Sequence, residues 1–452
     1  MLLKLAQVIN QYLSDYILII MLIGVGLYYT VRTRFVQVRC LGEGFRRLFD
    51  SIKLNGEAEK QGMSTFQALA TAVAGQVGTG NIVGAAGAIL LGGPGAIFWM
   101  WIIAFLGMAT IYAEAVLAIK TRTVEENGTI QGGPVYYITK AFPGRGGKRL
   151  AAFFAFAVIL ALGFFGAMVQ SNSIAASLET AFHIPGWIIG LVLAALCWGI
   201  YMGGIRRLAA VTEKLVPIMA GLFLTGALVV LAVRFRYIPA TFAMIFRYAF
   251  RPDAIIGGSL GAALKIAISQ GAKRGLFSNE AGMGSTPHAH AQANVENPHD
   301  QGIMAMVGVF IDTFVVLTMN ALVIISTLYA PDGVLSAGVI PAWISKTNLA
   351  QTAFGTVFGT DIGAGFVAIC LLFFAFSTIL SWNLFGRINM VWLFGEKASE
   401  VYTVISVCFV FLGTLASNDL VWELTDMFNN LMVIPNSLAL FALGKYVSGR
   451  RS

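Results

Sequence analysis

The sequence predicts an all-α polytopic membrane protein of about 11 transmembrane helices, one N-terminal helix plus a 5+5 inverted repeat with two discontinuous helices. Three observations predict it. Of 452 residues, 57% are hydrophobic and only 12% charged, with a mean hydropathy of +0.77, whereas soluble domains carry about 25% charged residues. Apolar runs of roughly 20 residues recur along the chain, enough for a helix to span ~30 Å of hydrocarbon, and they lack the alternation of a barrel strand. Two of these runs are interrupted, at Gly75–Gly84 (GQVGTGNIVG) and Gly271–Gly284 (GAKRGLFSNEAGMG).

The spanning segments lie near 14–32, 64–91, 95–120, 150–180, 186–204, 213–234, 258–286, 303–329, 363–386, 399–416 and 420–446. The first is not read as a cleavable signal, because Lys4 alone precedes it while Arg32, Arg34, Arg39, Arg46 and Arg47 follow. Reversed flanks predict an uncleaved helix with the N-terminus outside and the C-terminus cytoplasmic. Alternation then puts loops 33–63, 121–149, 205–212, 287–302, 387–398 and the tail on one side. That side holds about 21 of the 30 Lys and Arg, against six opposite and three inside the seventh segment. By the positive-inside rule it is cytoplasmic, in a cell inner (plasma) membrane. The local exception is the outer loop 235–257, where Arg234, Arg236, Arg247 and Arg251 flank Phe242, Ile245 and Phe246 as in a short interfacial helix. The net charge of +8 therefore follows topology, and the lipid bilayer rather than nucleic acid is the expected partner. Cys197, Cys370 and Cys408 lie in apolar segments, which predicts buried small hydrophobes and no disulfide framework.

Setting aside residues 1–63 as the N-terminal helix and its loop leaves five segments in 64–234 and five in 258–446. An odd number per half makes the second half enter the membrane with opposite polarity, the arithmetic of an inverted repeat. The interrupted segment is the first of each half. Paired interruptions at corresponding places point to the binding site of a secondary transporter, because an opened helix at membrane depth leaves backbone groups needing partners.

In the first interruption, four glycines make opening cheap and Gln76, Thr79 and Asn81 stand between them. Gly80–Gly84 is also a GxxxG pattern, so close helix packing is the competing explanation. Packing leaves the three polar side chains unexplained, each costly if it faced lipid. With opening at Gly78–Gly80, carbonyls of the lower half would suit a cation. Amides of Thr79, Gly80 and Asn81 would suit a carboxylate at a helix N-terminus. The seventh segment mixes Ser269, Gln270, Phe277, Ser278, Asn279, Glu280 and Ser285 with glycines, and opens anywhere from Gly271 to Asn279. Glu280, an ionisable group at depth, is a coupling candidate. Its alternative is a structural carboxylate that pairs with a nearby Lys or caps the broken end. In the ninth segment, Ser377 and Thr378 offer oxygens to a hard cation, or bond their own i−4 carbonyls. Trp382, one turn on, walls an apolar pocket or packs as core.

Gln170, Ser171 and Asn172 line the pathway or mark the approach to solvent. Glu114 and Asp312 are isolated acids, expected to be structural partners. His288 and His290 lack clustered thiols or acids, so no metal site is expected there. Gly257–Gly261 matches GxSxG without a strand–turn–helix context. The sequon Asn127-Gly128-Thr129 falls on a cytoplasmic loop. Absence of HExxH and of a Ser–His arrangement at one depth argues against an enzyme, and absence of a filter repeat against a channel.

At the stretches GQVGTGNIVGAAGAI (75–89), GGPGAIFWMW (92–101), QGGPVYYI (131–138) and GLFSNEAGMGSTPHAHA (275–291), the chain resembles the alanine-or-glycine:cation (sodium:alanine) symporter family, which has a leucine-transporter-like fold. The resemblance covers nearly the whole chain and implies sodium-coupled symport of alanine or glycine by alternating access. Sodium is then the co-transported ion, with no organic cofactor. It implies substrate among the second, fourth, seventh and ninth segments, at Gln76, Thr79, Gly80, Asn81, Gln170, Phe277, Ser278, Asn279 and Trp382. Sodium would meet carbonyls of Ala74, Val77 and Phe374 and hydroxyls of Ser377 and Thr378. The alternative is a proton-coupled amino-acid carrier in which Glu280 titrates.

Overall fold

The computed structural model describes residues 2–51, 62–124, 130–251 and 260–449. The sequon, the start of the seventh segment and residues 257–259 of the GxSxG match lie outside them. Among the described residues the protein is helical apart from a two-residue antiparallel ladder, Thr123–Val124 against Ile130–Gln131.

A helix overlies each of the eleven apolar segments. Leu3–Arg32, Ala96–Thr121, Arg145–Phe182, Gly204–Val233, Pro298–Leu328 and Thr360–Phe394 are each long and apolar enough to cross a bilayer, and the bent pair Thr65–Gln76 plus Gly80–Gly92 makes a seventh. Gly186–Tyr201 and Ala398–Gly413 are shorter apolar helices. Leu260–Asn279 and Asn418–Ala442 are longer and carry more polar side chains.

One boundary differs from expectation for an identifiable reason. The first helix begins at Leu2 rather than near 14. Its polar residues have partners on the last long helix: Asn10 Nδ2 donates to Glu423 Oε2 (2.6 Å), and Asn430 Nδ2 donates to Ser14 Oγ (2.8 Å). The loop after Gly204–Val233 contains the helix Ile238–Phe250, with Phe242, Phe246 and Phe250 exposed and Ile245 buried. Phe98 and Trp99 pack edge-on and tilted against Phe246 and Phe250.

Helices differ in how far they sit inside the bundle. In its most apolar stretch Ala96–Thr121 is 89% buried, whereas Gly204–Val233 is 33% buried. Residues 68–89, which hold the first interruption, are buried without exception. Irregular backbone at membrane depth is tolerated only in such protein-enclosed positions. Ser64 and Gln67 form a capping box that fixes where this helix starts.

Candidate functional site

The second segment's lower helix ends where Val77 N donates to Val73 O (2.7 Å) and Val77 turns to φ −79°, ψ 85°. The chain resumes as a π-helical turn, Gly80–Gly84, and the two halves are bent by 42°. Side chains take over the freed amides. Asn81 Oδ1 accepts from Gly78 N (3.1 Å), and Gln170 Oε1, from the fourth segment, accepts from Thr79 N (3.1 Å). Glycine is required here by close approach. A Cβ on Gly78 would lie 2.4 Å from Thr378 Oγ1, and one on Gly80 would lie 2.9 Å from Ser278 Cα.

That approach brings oxygens together. Thr378 Oγ1 donates to Ala74 O at 2.8 Å across the helices and lies 3.0 Å from Phe374 O in its own turn. Ser377 Oγ donates to Phe374 O at 2.8 Å and lies 3.4 Å from Met219 Sδ. Ala74, Val77, Phe374, Ser377 and Thr378 are all buried. Back-bonding and bridging thus coexist, because one threonine oxygen reaches two carbonyls on different helices.

The seventh segment stays helical through the glycines at 271 and 275 and opens only after Asn279. The window at Gly271 serves packing, since a Cβ there would meet Trp99 Cβ at 2.5 Å. The turn that follows is left-handed at Glu280 (φ +57°), Gly282 (φ +92°) and Gly284 (φ +80°). Glu280 accepts from Ser285 Oγ (2.5 Å) and from Trp382 Nε1. The lysine expected to pair with it is elsewhere: Lys273 and Arg274 both hold Asp426, at 2.8 and 3.1 Å. Phe277 packs edge-on against Trp382 (5.9 Å) and tilted on Trp422 (4.8 Å).

The two openings are joined. Gln76 Nε2 donates to Asn279 O (2.9 Å). Asp312, on the eighth segment, accepts from Asn81 Nδ2 (2.6 Å), Ser278 Oγ (2.9 Å) and Thr313 Oγ1 (2.8 Å). Asn320 Nδ2 donates to Asn81 O (2.8 Å). Asp312 and Asn320 therefore line the opening, although in the sequence the first reads only as an isolated acid and nothing marks the second. An ionisable side chain inside an apolar run was the available signal. Of the polar triplet, Gln170 alone reaches the opening; Asn172 Nδ2 donates to Gly413 O and Ala416 O. Buried polar atoms without a hydrogen-bond partner gather here: Gln76 Oε1, Thr79 Oγ1 and Gln170 Nε2, with Ser381 Oγ on the ninth segment. Such atoms are costly unless something else binds them. The assembly offers neutral oxygens suited to a hard monovalent cation, beside a helix N-terminus suited to a carboxylate.

The chain matches the model of the sodium:alanine symporter family over residues 1–450. It is 40% identical to the sodium/alanine symporter AgcS of Methanococcus maripaludis, covering 98% of this chain and 95% of that one. It is 38% identical to two Bacillus subtilis proteins. One is the putative sodium/proton-dependent alanine carrier protein YrbD (97% and 89% covered), the other the probable sodium/glutamine symporter GlnT (97% and 87% covered). Among solved structures it resembles MhsT in complex with L-phenylalanine, with a TM-score of 0.62 at 16% identity over 86% of this chain and 90% of that one. That likeness concerns the fold, which is of the leucine-transporter type. Two opened helices facing one another and a family match along the whole chain agree, and the protein belongs to the sodium:alanine symporter family, as a transporter of amino acids in a membrane and not an enzyme.

Proposed function

We propose that the protein couples sodium entry to uptake of a small neutral amino acid, alanine or glycine, by alternating access. The observation that carries this is the Thr378 hydroxyl held between Ala74 O and Phe374 O where the second helix opens. Sodium would replace those hydrogen bonds, taking Ala74, Val77 and Phe374 carbonyls and the Ser377 and Thr378 hydroxyls as hard oxygen ligands. The substrate carboxylate would take the amides of Thr79, Gly80 and Asn81, displacing Gln170 Oε1, which accepts from Thr79 N. The ammonium would face Asn279 O and the Gln76 and Ser278 oxygens. Phe277 and Trp382, packed edge-on, would wall the substrate side chain.

The inside-positive loops and the five-plus-five count support a topology of eleven spans, with repeats 64–234 and 258–446 and the N-terminus outside. One sodium ion moving down 100 mV supplies about 2.3 kcal/mol, which supports roughly fifty-fold accumulation before any sodium gradient is counted. Proteoliposome uptake of labelled alanine, with unlabelled glycine, serine and glutamine as competitors, tests the proposal. Replacing external sodium by choline at fixed pH should abolish uptake. Uptake that persists in choline and follows an imposed proton gradient would instead favour the carrier in which Glu280 titrates.

A further inference from the structure

A second cluster of ligand-type side chains lies away from the transport site. Cys40 follows the short helix Val36–Arg39, and Glu43 stands three residues on, in the first turn of Leu41–Ser51. His299 is in the first turn of Pro298–Leu328, fixed by the Asn297 cap, which accepts from His299 N at 3.0 Å. One ligand atom from each, sulfur, carboxylate oxygen and ring nitrogen, lies within 4.8 Å of the others, with Cys40 and His299 buried. The tautomer of His299 follows from its neighbour. The Tyr112 hydroxyl lies 2.8 Å from Ser448 O and 2.6 Å from His299 Nδ1; with its one proton donated to the carbonyl, its oxygen accepts from Nδ1. In that arrangement Nδ1 carries hydrogen and Nε2 carries the lone pair. A ring nitrogen hydrogen-bonded away so that the other presents its lone pair is the usual support of a metal-ligating histidine.

We propose that Cys40, Glu43 and His299 bind a borderline divalent cation of the zinc class, with Nε2 of His299 as its nitrogen ligand and water in a remaining position. Sulfur, imidazole and carboxylate form the donor set that selects zinc over calcium or magnesium. Two ligands on one zinc stand about 3.5 Å apart, so atoms now within 4.8 Å of one another would close in on binding. Arg47 does not block the site. It sits on Glu43 Oε1 (2.9 Å) and Asp300 Oδ1 (3.1 Å), leaving the second Glu43 oxygen available. Arg39 is engaged by the carbonyls of Thr33 and Gly449. An ion here would tie the 33–51 segment to the eighth helix, away from either opening.

Tag-free protein in detergent, with the exposed Cys408 replaced by serine, is titrated with zinc against a chromophoric chelator and separately with cobalt. The expected result is one zinc per chain and a thiolate-to-cobalt charge-transfer band. Both should be lost in Cys40→Ser and in His299→Gln. In Tyr112→Phe, zinc affinity should fall about tenfold, the range for losing a supporting partner. Alanine uptake without added metal verifies that the variants fold. Zinc bound equally by Cys40→Ser, or no cobalt–thiolate band in the parent, would overturn the proposal.

Discussion

The two helix openings meet the same physical problem in opposite ways. In the turn after Asn279, freed groups are closed by the protein itself. Glu114 Oε2 accepts from Gly282 N (3.1 Å), Asn436 Nδ2 donates to Glu114 Oε1 (2.5 Å) and to Gly282 O (2.9 Å), and Asn279 Oδ1 accepts from Ala281 N (3.1 Å). At Val77–Asn81 the freed amides of Gly78 and Thr79 are taken by side chains, but the side chains around them keep buried atoms without partners: Thr79 Oγ1, Gln76 Oε1 and Gln170 Nε2. Burying such groups costs about 1–3 kcal/mol each, a cost that a bound ion and zwitterion would offset. The turn after Asn279 thus closes on its own partners, and on the proposed reading the first opening is the one that takes the ion and the carboxylate.

The largest expected effect comes from filling the first opening. Gly78→Ala puts a methyl 2.4 Å from Thr378 Oγ1, the hydroxyl of a short buried side chain already bonded to Ala74 O. Sodium-driven alanine uptake should fall by more than about a hundredfold, while yield and monodispersity of the purified protein change little. A variant that transports normally would remove the contrast between the openings.

Next in size is the hydroxyl bridge. Thr378→Ala should raise the sodium concentration for half-maximal uptake about tenfold, equivalent to ~1.4 kcal/mol, and Thr378→Ser should restore most of it. Ser377→Ala should cost less, because Ser377 Oγ bonds a carbonyl of its own helix while Thr378 also reaches Ala74 O. Equal losses at both positions would mean that bridging between helices adds nothing to ion binding.

Glu114→Ala probes the turn after Asn279. It strips acceptors from Gly282 N and Asn436 Nδ2, both buried, and the unpaired donors should lower thermal stability by about 1–3 kcal/mol. Half-saturating sodium for the surviving protein should stay within about twofold of the parent. A tenfold shift would show that the second opening also touches the ion.

How much of this was legible in the sequence depended on how far apart the partners are. Apolar runs locate the helices because lipid and core impose one requirement over twenty residues. The first opening was legible because its glycines and its polar side chains share the same turns. In the seventh segment glycine density misleads. Gly271 is helical and serves contact with Trp99, and the opening is made by left-handed Glu280, Gly282 and Gly284 instead. No local pattern marks a glutamate as left-handed. Asp312 and Glu114 read as isolated because their partners lie 231 and 322 residues away, at Asn81 and Asn436. Lys273 and Arg274 likewise find Asp426 only through the fold.

The smallest expected effect lies outside both openings. Arg234 holds Asp332 by two hydrogen bonds, at 2.7 and 2.8 Å, on an exposed loop, and this keeps the carboxyl below its usual range. A depressed carboxyl contributes stability above its unfolded value, near 4, and loses it as pH falls through the folded value. Between about pH 5 and pH 7 the pair is therefore fully charged, and exposed ion pairs contribute little. Lys346 is the group to avoid, since burial pushes it down to about 8 and it begins to lose its proton above that window. Within the window Arg234→Ala should change neither uptake, beyond about twofold, nor its pH profile. Any pH dependence that survives in that variant arises elsewhere, and Glu280, Glu114 and Asp312 are buried carboxyls beside the openings. Pairing it with Glu114→Ala assigns the dependence to Glu114 if the slope vanishes and removes Glu114 from the candidates if it persists.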